Sequence, residues 1–404
     1  MKSKLIALVL FAFTATTVAL FPAYQRVGGM TSVVLPPTDP PVINAGVNDQ
    51  SRIDVVFVLD TTGSMGGLIQ AAKEKIWSIA TTMASAQSAP EIRMGLVAYR
   101  DRGDAYVTRV VDLSSDLDSM YATLMDFQAD GGGDGPESVN QALYDAIHKL
   151  SWSQDSGTYK AVFLVGDAPP HMDYQDDVKY PVTLSVAKQQ GIVINTIQCG
   201  QMGTTTPAWQ QIARLGDGHY FQVEQAGSAV AIATPFDEKI ASLSEKLDDT
   251  RLYYGSNEDK EKQRRKLEAA DKLHAASSVE SRARRAAFNA SKSGAANFLG
   301  EGELVEEVSS GRVDLSTIDK AQLPEPLQAM APEEQAAIIS ETAERRDELQ
   351  RQINELTQER SAYLEKKVEE AGGARDSLDD KIYSAVREQA GRLGLSYEAD
   401  APAY

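Results

Sequence analysis

The chain has 404 residues, 42% of them apolar, enough for a sizeable core and, as a prior, for two or three domains. Its formal net charge of −18 argues against nucleic acid or an anionic membrane surface as the main partner. A single cysteine, Cys199, excludes an internal disulfide, and its place in the apolar run from Ile192 to Cys199 reads as a buried structural thiol.

Residues 1–23 read as an export signal. Lys2 and Lys4 precede an uncharged apolar run from Leu5 to Val18, and Thr17-Val18-Ala19 offers a small-residue cleavage site. The segment is short for a membrane span of about 20 residues, so a cleaved signal peptide and an uncleaved N-terminal anchor both stay open. Either reading puts the remainder outside the cytoplasm, in a periplasm or cell envelope. Residues 24–50, with Leu35-Pro36-Pro37-Thr38-Asp39-Pro40-Pro41 at their centre, have the composition of an extended linker.

From Arg52 onward, short apolar runs alternate with helical patterns. "RIDVVFVLD" predicts a strand and "GLIQAAKEKIWSIATTMAS" a helix, and further strands follow at "IRMGLVAYR", "AYVTRVVDL", "YKAVFLVGD", "IVINTIQ" and "HYFQV". "PESVNQALYDAIHKL" predicts a helix with Pro136 and Glu137 in its first turn. "SAVAIATPFDEKIASLSEKL" predicts a helix closing the unit. Continuously apolar strands between helices define an α/β class: a doubly wound, mostly parallel sheet covered on both faces, followed by a helical C-terminal region. Ligands of such sheets bind at the carboxyl ends of the strands.

At that edge the strand from Val55 runs into Asp60-Thr61-Thr62-Gly63-Ser64. These residues suit a polar turn, an aspartic-protease loop or a divalent-cation site. The protease needs an all-β fold and a second Asp-Thr/Ser-Gly, which the chain lacks. A phosphotransferase of haloacid-dehalogenase type needs a second aspartate at the place of Thr62. Two more loops at the same edge carry oxygen donors: Asp134 within "DGGGDGPES", and Asp167 within "LVGDAPPH". The four histidines show no zinc spacing. His171, four residues after Asp167, could orient the site but reads rather as a plain loop residue, and Ser64 has no adjacent histidine base to make it a nucleophile.

From these residues, the stretch from about Ile53 to Leu247 resembles the von Willebrand factor A domain. Asp60-x-Thr62-x-Ser64 is similar to its metal-ion-dependent adhesion motif. The wording "DTTGSM", Arg100-Asp101-Arg102 and "GGGDGPE" resembles the bacterial, alpha-kinase-associated branch. The resemblance implies Mg2+ (or Mn2+ or Ca2+) held by Asp60, Thr62, Ser64, Asp134 and Asp167, directly or through water. Asp134 stands where the family usually has an uncharged threonine, and the extra charge should hold the cation more firmly while lowering its pull on an acidic partner. Asp134 could instead cap the helix that follows.

The expected organisation is therefore signal or anchor at 1–23, linker at 24–50, the A-type domain at 51–247 and a charged helical accessory region at 248–404. In the last part, "GSNEDKEKQRRKLEAADKLHAASSVESRARRAAF" reads as solvated helix. Residues 333–370 form one long helical pattern with Ile339, Thr342, Leu349, Ile353, Leu356 and Tyr363 on a stripe that Arg346 and Arg360 interrupt. A helix packing on its own neighbours fits this better than a dimeric coiled coil. The functional expectation is an exported, non-enzymatic, metal-dependent protein-binding module whose partner supplies an oxygen to the ion. The alternatives are a metal-assisted hydrolase using the same carboxylates, against which stands the lack of a recognisable base, and a structural protein whose ion stiffens the loops.

Overall fold

Arg52–Asp60, the first strand (β1), is apolar at Ile53 and at five successive positions from Val55 to Leu59, around its single internal acid Asp54, and both of its faces are buried. The computed structural model describes residues 51–133, 135–227, 232–370 and 377–397. Five further strands join β1: β2 (Glu91–Tyr99), β3 (Thr108–Ser114), β4 (Tyr159–Gly166), β5 (Ile192–Cys199) and β6 (Asp217–Val223). The sheet order is β3-β2-β1-β4-β5-β6, with β3 antiparallel and the other pairs parallel. The chain leaves β1 toward β2 on one side and returns to β4 on the other. This switch point opens a crevice at the carboxyl ends of β1 and β4.

Alternation along β1 sorts the core into two layers. Ile53, Val55, Phe57 and Leu59 face α1 (Gly66–Ala84) and α2 (Leu117–Met125), whereas Val56 and Val58 face α3 (Val139–His148), α4 (Tyr180–Gln189) and α5 (Thr206–Leu215). Each fully buried aliphatic side chain of this kind contributes about 1.5–3 kcal/mol. Cys199 is buried in the first layer, and burial pushes its thiol pKa up, as an inert structural cysteine requires.

The helix expected to close the unit is α6 (Asp237–Asp248); it starts later than the sequence suggests and packs on helices behind the sheet layer. Its buried Asp237, Ser244 and Asp248 need polar partners that a face of Val, Ile and Phe cannot supply. They find them on the extension: Arg360 donates to Asp237 at 2.7 Å, and Arg285 donates to Ser244 at 3.2 Å and to Asp248 at 2.7 Å. The place against β4, β5 and β6 is taken instead by α13 (Leu378–Gly391), which brings Leu378, Ile382, Ala385, Val386 and Ala390 into the main core. Gln389 of α13 forms a reciprocal amide pair with Asn195 of β5, at 2.8 and 3.1 Å, and accepts from Tyr159 at 2.7 Å.

Between these elements lie α7 (Asn257–Ala276), α8 (Val279–Asn289), α9 (Ala295–Leu299), α10 (Leu304–Ser309), α11 (Glu325–Gln328) and α12 (Pro332–Glu370). The stretch expected as solvated helix is thus a pair of helices, and its second member buries Ala283, Arg284, Arg285, Ala286 and Phe288. The long helix packs within the chain, on α6 and α10. Arg346 and Arg360, expected to interrupt its stripe, are part of the buried face: Arg346 holds both carboxylate oxygens of Glu303 at 2.8 Å each. The described residues, from 51 onward, form one compact unit. Among the described residues, no helix is long and apolar enough to cross a membrane.

Candidate metal centre

Asp60, Tyr99 and Gly166 end three neighbouring strands, β1, β2 and β4, at the mouth of the crevice. Gly166 has to be glycine, because a Cβ there would lie 2.5 Å from the Tyr99 hydroxyl and 3.0 Å from Asp60 Oδ2. Asp60 Oδ1 accepts the backbone N–H of Thr62 at 2.9 Å and its hydroxyl at 2.7 Å, a local turn that short polar side chains favour. Asp60 Oδ2 is fully buried without a hydrogen-bond partner. Burial pushes the Asp60 pKa up to about 7; the Asp167 charge adds to this, and the two bonds from Thr62 act against it.

The second loop is held over the first. Gly63 donates to the carbonyl of Gly131 at 3.1 Å, while Arg100 donates to the carbonyls of Thr61 at 3.1 Å and Gln128 at 2.8 Å. Gly131 and Gly132 have φ of +77° and +76°, which lets the chain turn against the Asp104 carboxylate where any Cβ on Gly131 would collide. Asp134 lies outside the described residues. The next helix begins at Val139, so Pro136 and Glu137 are not in its first turn as the sequence suggests. Glu137 instead bridges to the third loop: its N–H donates to Pro169 at 2.9 Å and its carbonyl accepts from His171 at 3.1 Å. This backbone pairing outcompetes the helical start and buries the Glu137 side chain.

In the third loop, the Asp167 carbonyl accepts from the Thr205 hydroxyl at 2.7 Å, and Gln225, just after β6, donates its amide to Asp167 Oδ2 at 2.7 Å. The same amide reaches the Ser64 carbonyl at 3.5 Å. His171 lies in this loop, as the sequence reading has it, and is buried: it stacks on Tyr174 at 3.9 Å between ring centroids, and its Nδ1 lies 2.8 Å from Asp173. Asp101 ties the loops together by accepting from Ser138 and Tyr174, both at 2.8 Å. His148, His219 and His274 are engaged elsewhere, with Tyr144, Glu388 and Asp248.

The three loops enclose a cleft of about 210 Å3 lined by Thr62, Ser64, Gly132, Glu137, Asp167 and Met202. Four of the five residues singled out by sequence are described; Thr62, Ser64 and Asp167 line this cleft, and Asp60 lies beneath it, bonded to Thr62. Sequence reasoning missed Glu137 and Gln225. Gln225 carries no local signal, and Glu137 had one that pointed to a helix start. Among the described residues, no three His, Cys, Asp or Glu side chains are grouped to hold a metal. The set here is different in kind, two carboxylates with two hydroxyls, all hard oxygen donors. These residues fit a divalent cation: a buried carboxylate oxygen without a partner is costly, and a cation beside it would relieve that cost.

The doubly wound sheet thus brings carboxylate and hydroxyl side chains together at its switch point. Residues 54–234 match the family model of the von Willebrand factor A domain. This supports such a domain in the chain, and domains of this family are generally interaction modules. Among curated proteins, 125 residues are 26% identical to an ariadne-like RING finger protein of Acanthamoeba polyphaga mimivirus, covering 31% of this chain and 12% of that one. Another 121-residue match, at 29% identity, is to an alpha-protein kinase of Dictyostelium discoideum, covering 30% and 19%. The chain therefore spans under a fifth of the length of either relative. Among solved structures, the SpRpn10 VWA domain is similar with a TM-score of 0.34 and 14% identity, over 44% of this chain and 90% of that one. Proximal thread matrix protein 1 from the mussel byssus, with a zinc-occupied MIDAS motif, is similar with a TM-score of 0.34 and 17% identity, over 43% and 42%.

Proposed function

We propose that this chain is a divalent-cation-dependent protein-binding module. Asp60, Thr62, Ser64 and Asp167 would hold Mg2+, Mn2+ or Ca2+, and the ion would supply a Lewis-acidic position for an oxygen of the partner. The observation that carries the reading is the buried, unpartnered Oδ2 of Asp60 beneath an open cleft lined by hydroxyls. The protein's own part is rigidity: Thr62 fixes Asp60, Gln225 fixes Asp167, and Arg100 fixes the glycine loop above them. Titration calorimetry with magnesium tests it, with binding in the native protein and none in Asp60→Ala as the supporting result.

A second reading, metal-assisted hydrolysis, gains one observation. Glu137 puts a buried carboxylate on the wall of the same cleft, where the sequence offered no base. Turnover of a p-nitrophenyl phosphate ester that is lost in Glu137→Gln would favour it over the binding module.

We also propose export, supported by the lysine-led apolar start and proline-rich spacer, both outside the described residues. The same wording that resembles the alpha-kinase-associated branch supports that finer family placement. A carboxyl-terminal fusion to a reporter that matures only in the cytoplasm should stay dark if export is right.

A further inference from the structure

We infer that the rim of the cleft is a docking surface for a basic protein segment that also carries apolar side chains. The inference rests on the proposed binding function and adds the partner's chemistry to it. Exposed apolar side chains gather on the third-loop side. Met172 is 48% exposed and Val182 is 60% exposed, with Val178 and Met202 also exposed. Asn140 ties together the backbone segments that carry the first three: its amide donates to the carbonyl of His171, next to Met172, at 2.6 Å, and its oxygen accepts from the N–H of Tyr180, two residues from Val178 and Val182, at 2.8 Å. Met202 joins them to the cation site, since it walls the cleft beside Asp167 and Ala168. Exposed large apolar residues in such a group, on an edge otherwise made of polar loops, mark an interaction surface.

The charges around that group decide the partner. The side chains of Asp130, Asp173 and Asp176 are 80%, 73% and 74% exposed, and Glu224 is exposed beyond β6. Beneath them lie the buried carboxylates of Asp60, Glu137 and Asp167. The cations of these loops are already engaged. Arg100 is buried and bonded to backbone carbonyls, Arg102 pairs with Asp176 and Asp177 at 2.9 and 2.5 Å, and Lys179 donates to the carbonyl of Tyr174. Arg100 and Arg102 offset part of this charge, at Asp130 and Asp176, and a bound divalent cation offsets two charges more; with Asp60, Glu137, Asp167, Asp173 and Glu224 also acidic, the loaded edge still repels an acidic segment and attracts a basic one. The partner oxygen that reaches the ion then comes from a basic, amphipathic stretch, as a carbonyl or as a lone carboxylate flanked by lysine or arginine.

Fluorescence anisotropy on the full chain in magnesium tests this with three labelled probes: a short lysine–leucine peptide, its glutamate–leucine counterpart and decalysine. The lysine–leucine peptide should bind best, and its affinity should fall as salt rises, because the contact is partly between exposed charges. The double charge reversal Asp176→Lys/Glu224→Lys should weaken it by about tenfold or more, and Met172→Ser/Val182→Ser should bring it to the level of decalysine. Preference for the glutamate–leucine peptide, or equal binding by all variants, overturns the inference. Magnesium calorimetry on the same samples separates the two levels. Intact magnesium binding without peptide preference defeats only this inference, whereas absent magnesium binding defeats the function it rests on.

Discussion

Arg285 grips both carboxylate oxygens of Asp118 at 2.6 Å each, joining α8 of the extension to α2 on the sheet. Both residues are fully buried, and Arg285 also reaches Asp248 at 2.7 Å. The charged C-terminal half is therefore anchored through the interior of the unit, by pairs that cannot be separated cheaply.

Removing one member of that pair leaves uncompensated charge in the interior. Arg285→Ala should cost about 3–5 kcal/mol of stability, read from the urea midpoint at constant slope. Replacing Arg285, Asp118 and Asp248 together with apolar residues of similar volume should recover much of the loss. An Arg285→Ala midpoint equal to that of the native protein would show that the pair is not structural.

The same cluster sets an acid limit. Burial alone would raise the pKa values of Asp118 and Asp248, but the Arg285 charge outweighs it and holds both below the usual carboxylate range. A depressed folded pKa stabilises the fold above the unfolded value near 4 and loses that contribution as pH falls through the folded value. Native stability should thus decline below about pH 4, and the decline should be shallower in Arg285→Met, measured by denaturant titration across the acid range.

Cation binding should be visible as stability. A ligand at about 100 Kd that binds only the folded chain adds roughly 2.7 kcal/mol. Melting should rise along a magnesium series in the native protein, return to its starting value with chelator, and stay flat in Asp60→Ala. Parallel curves for the two proteins would remove Asp60 from the site.

Gln225 lies outside the three loops read from sequence, yet its amide fixes an Asp167 oxygen. Residues that orient a ligand in this way typically change metal affinity by about 10–100-fold when lost. Gln225→Leu should weaken magnesium binding within that range by calorimetry while leaving the circular dichroism spectrum native. An unchanged affinity would reduce Gln225 to a tether for the loop after β6.

The sequence by itself determined the sheet and the chemistry at its edge. Runs such as Val55 to Leu59 are apolar without interruption because parallel strands are buried on both faces. Asp60, Thr62 and Ser64 are legible because a strand–turn–helix junction is local in sequence. What only the tertiary structure decided was which distant groups meet. Glu137 left its helix for a backbone bridge to Pro170, Gln225 reached Asp167 from the far side of β5, and Arg346 and Arg360 turned from interruptions of a stripe into its buried centre. A buried charge is stable only opposite its counter-charge, and Glu303 and Asp237 lie 43 and 123 residues from those arginines. No periodicity within one helix records a partner at that separation, so the face α12 buries was fixed by the folded neighbours and not by its own pattern.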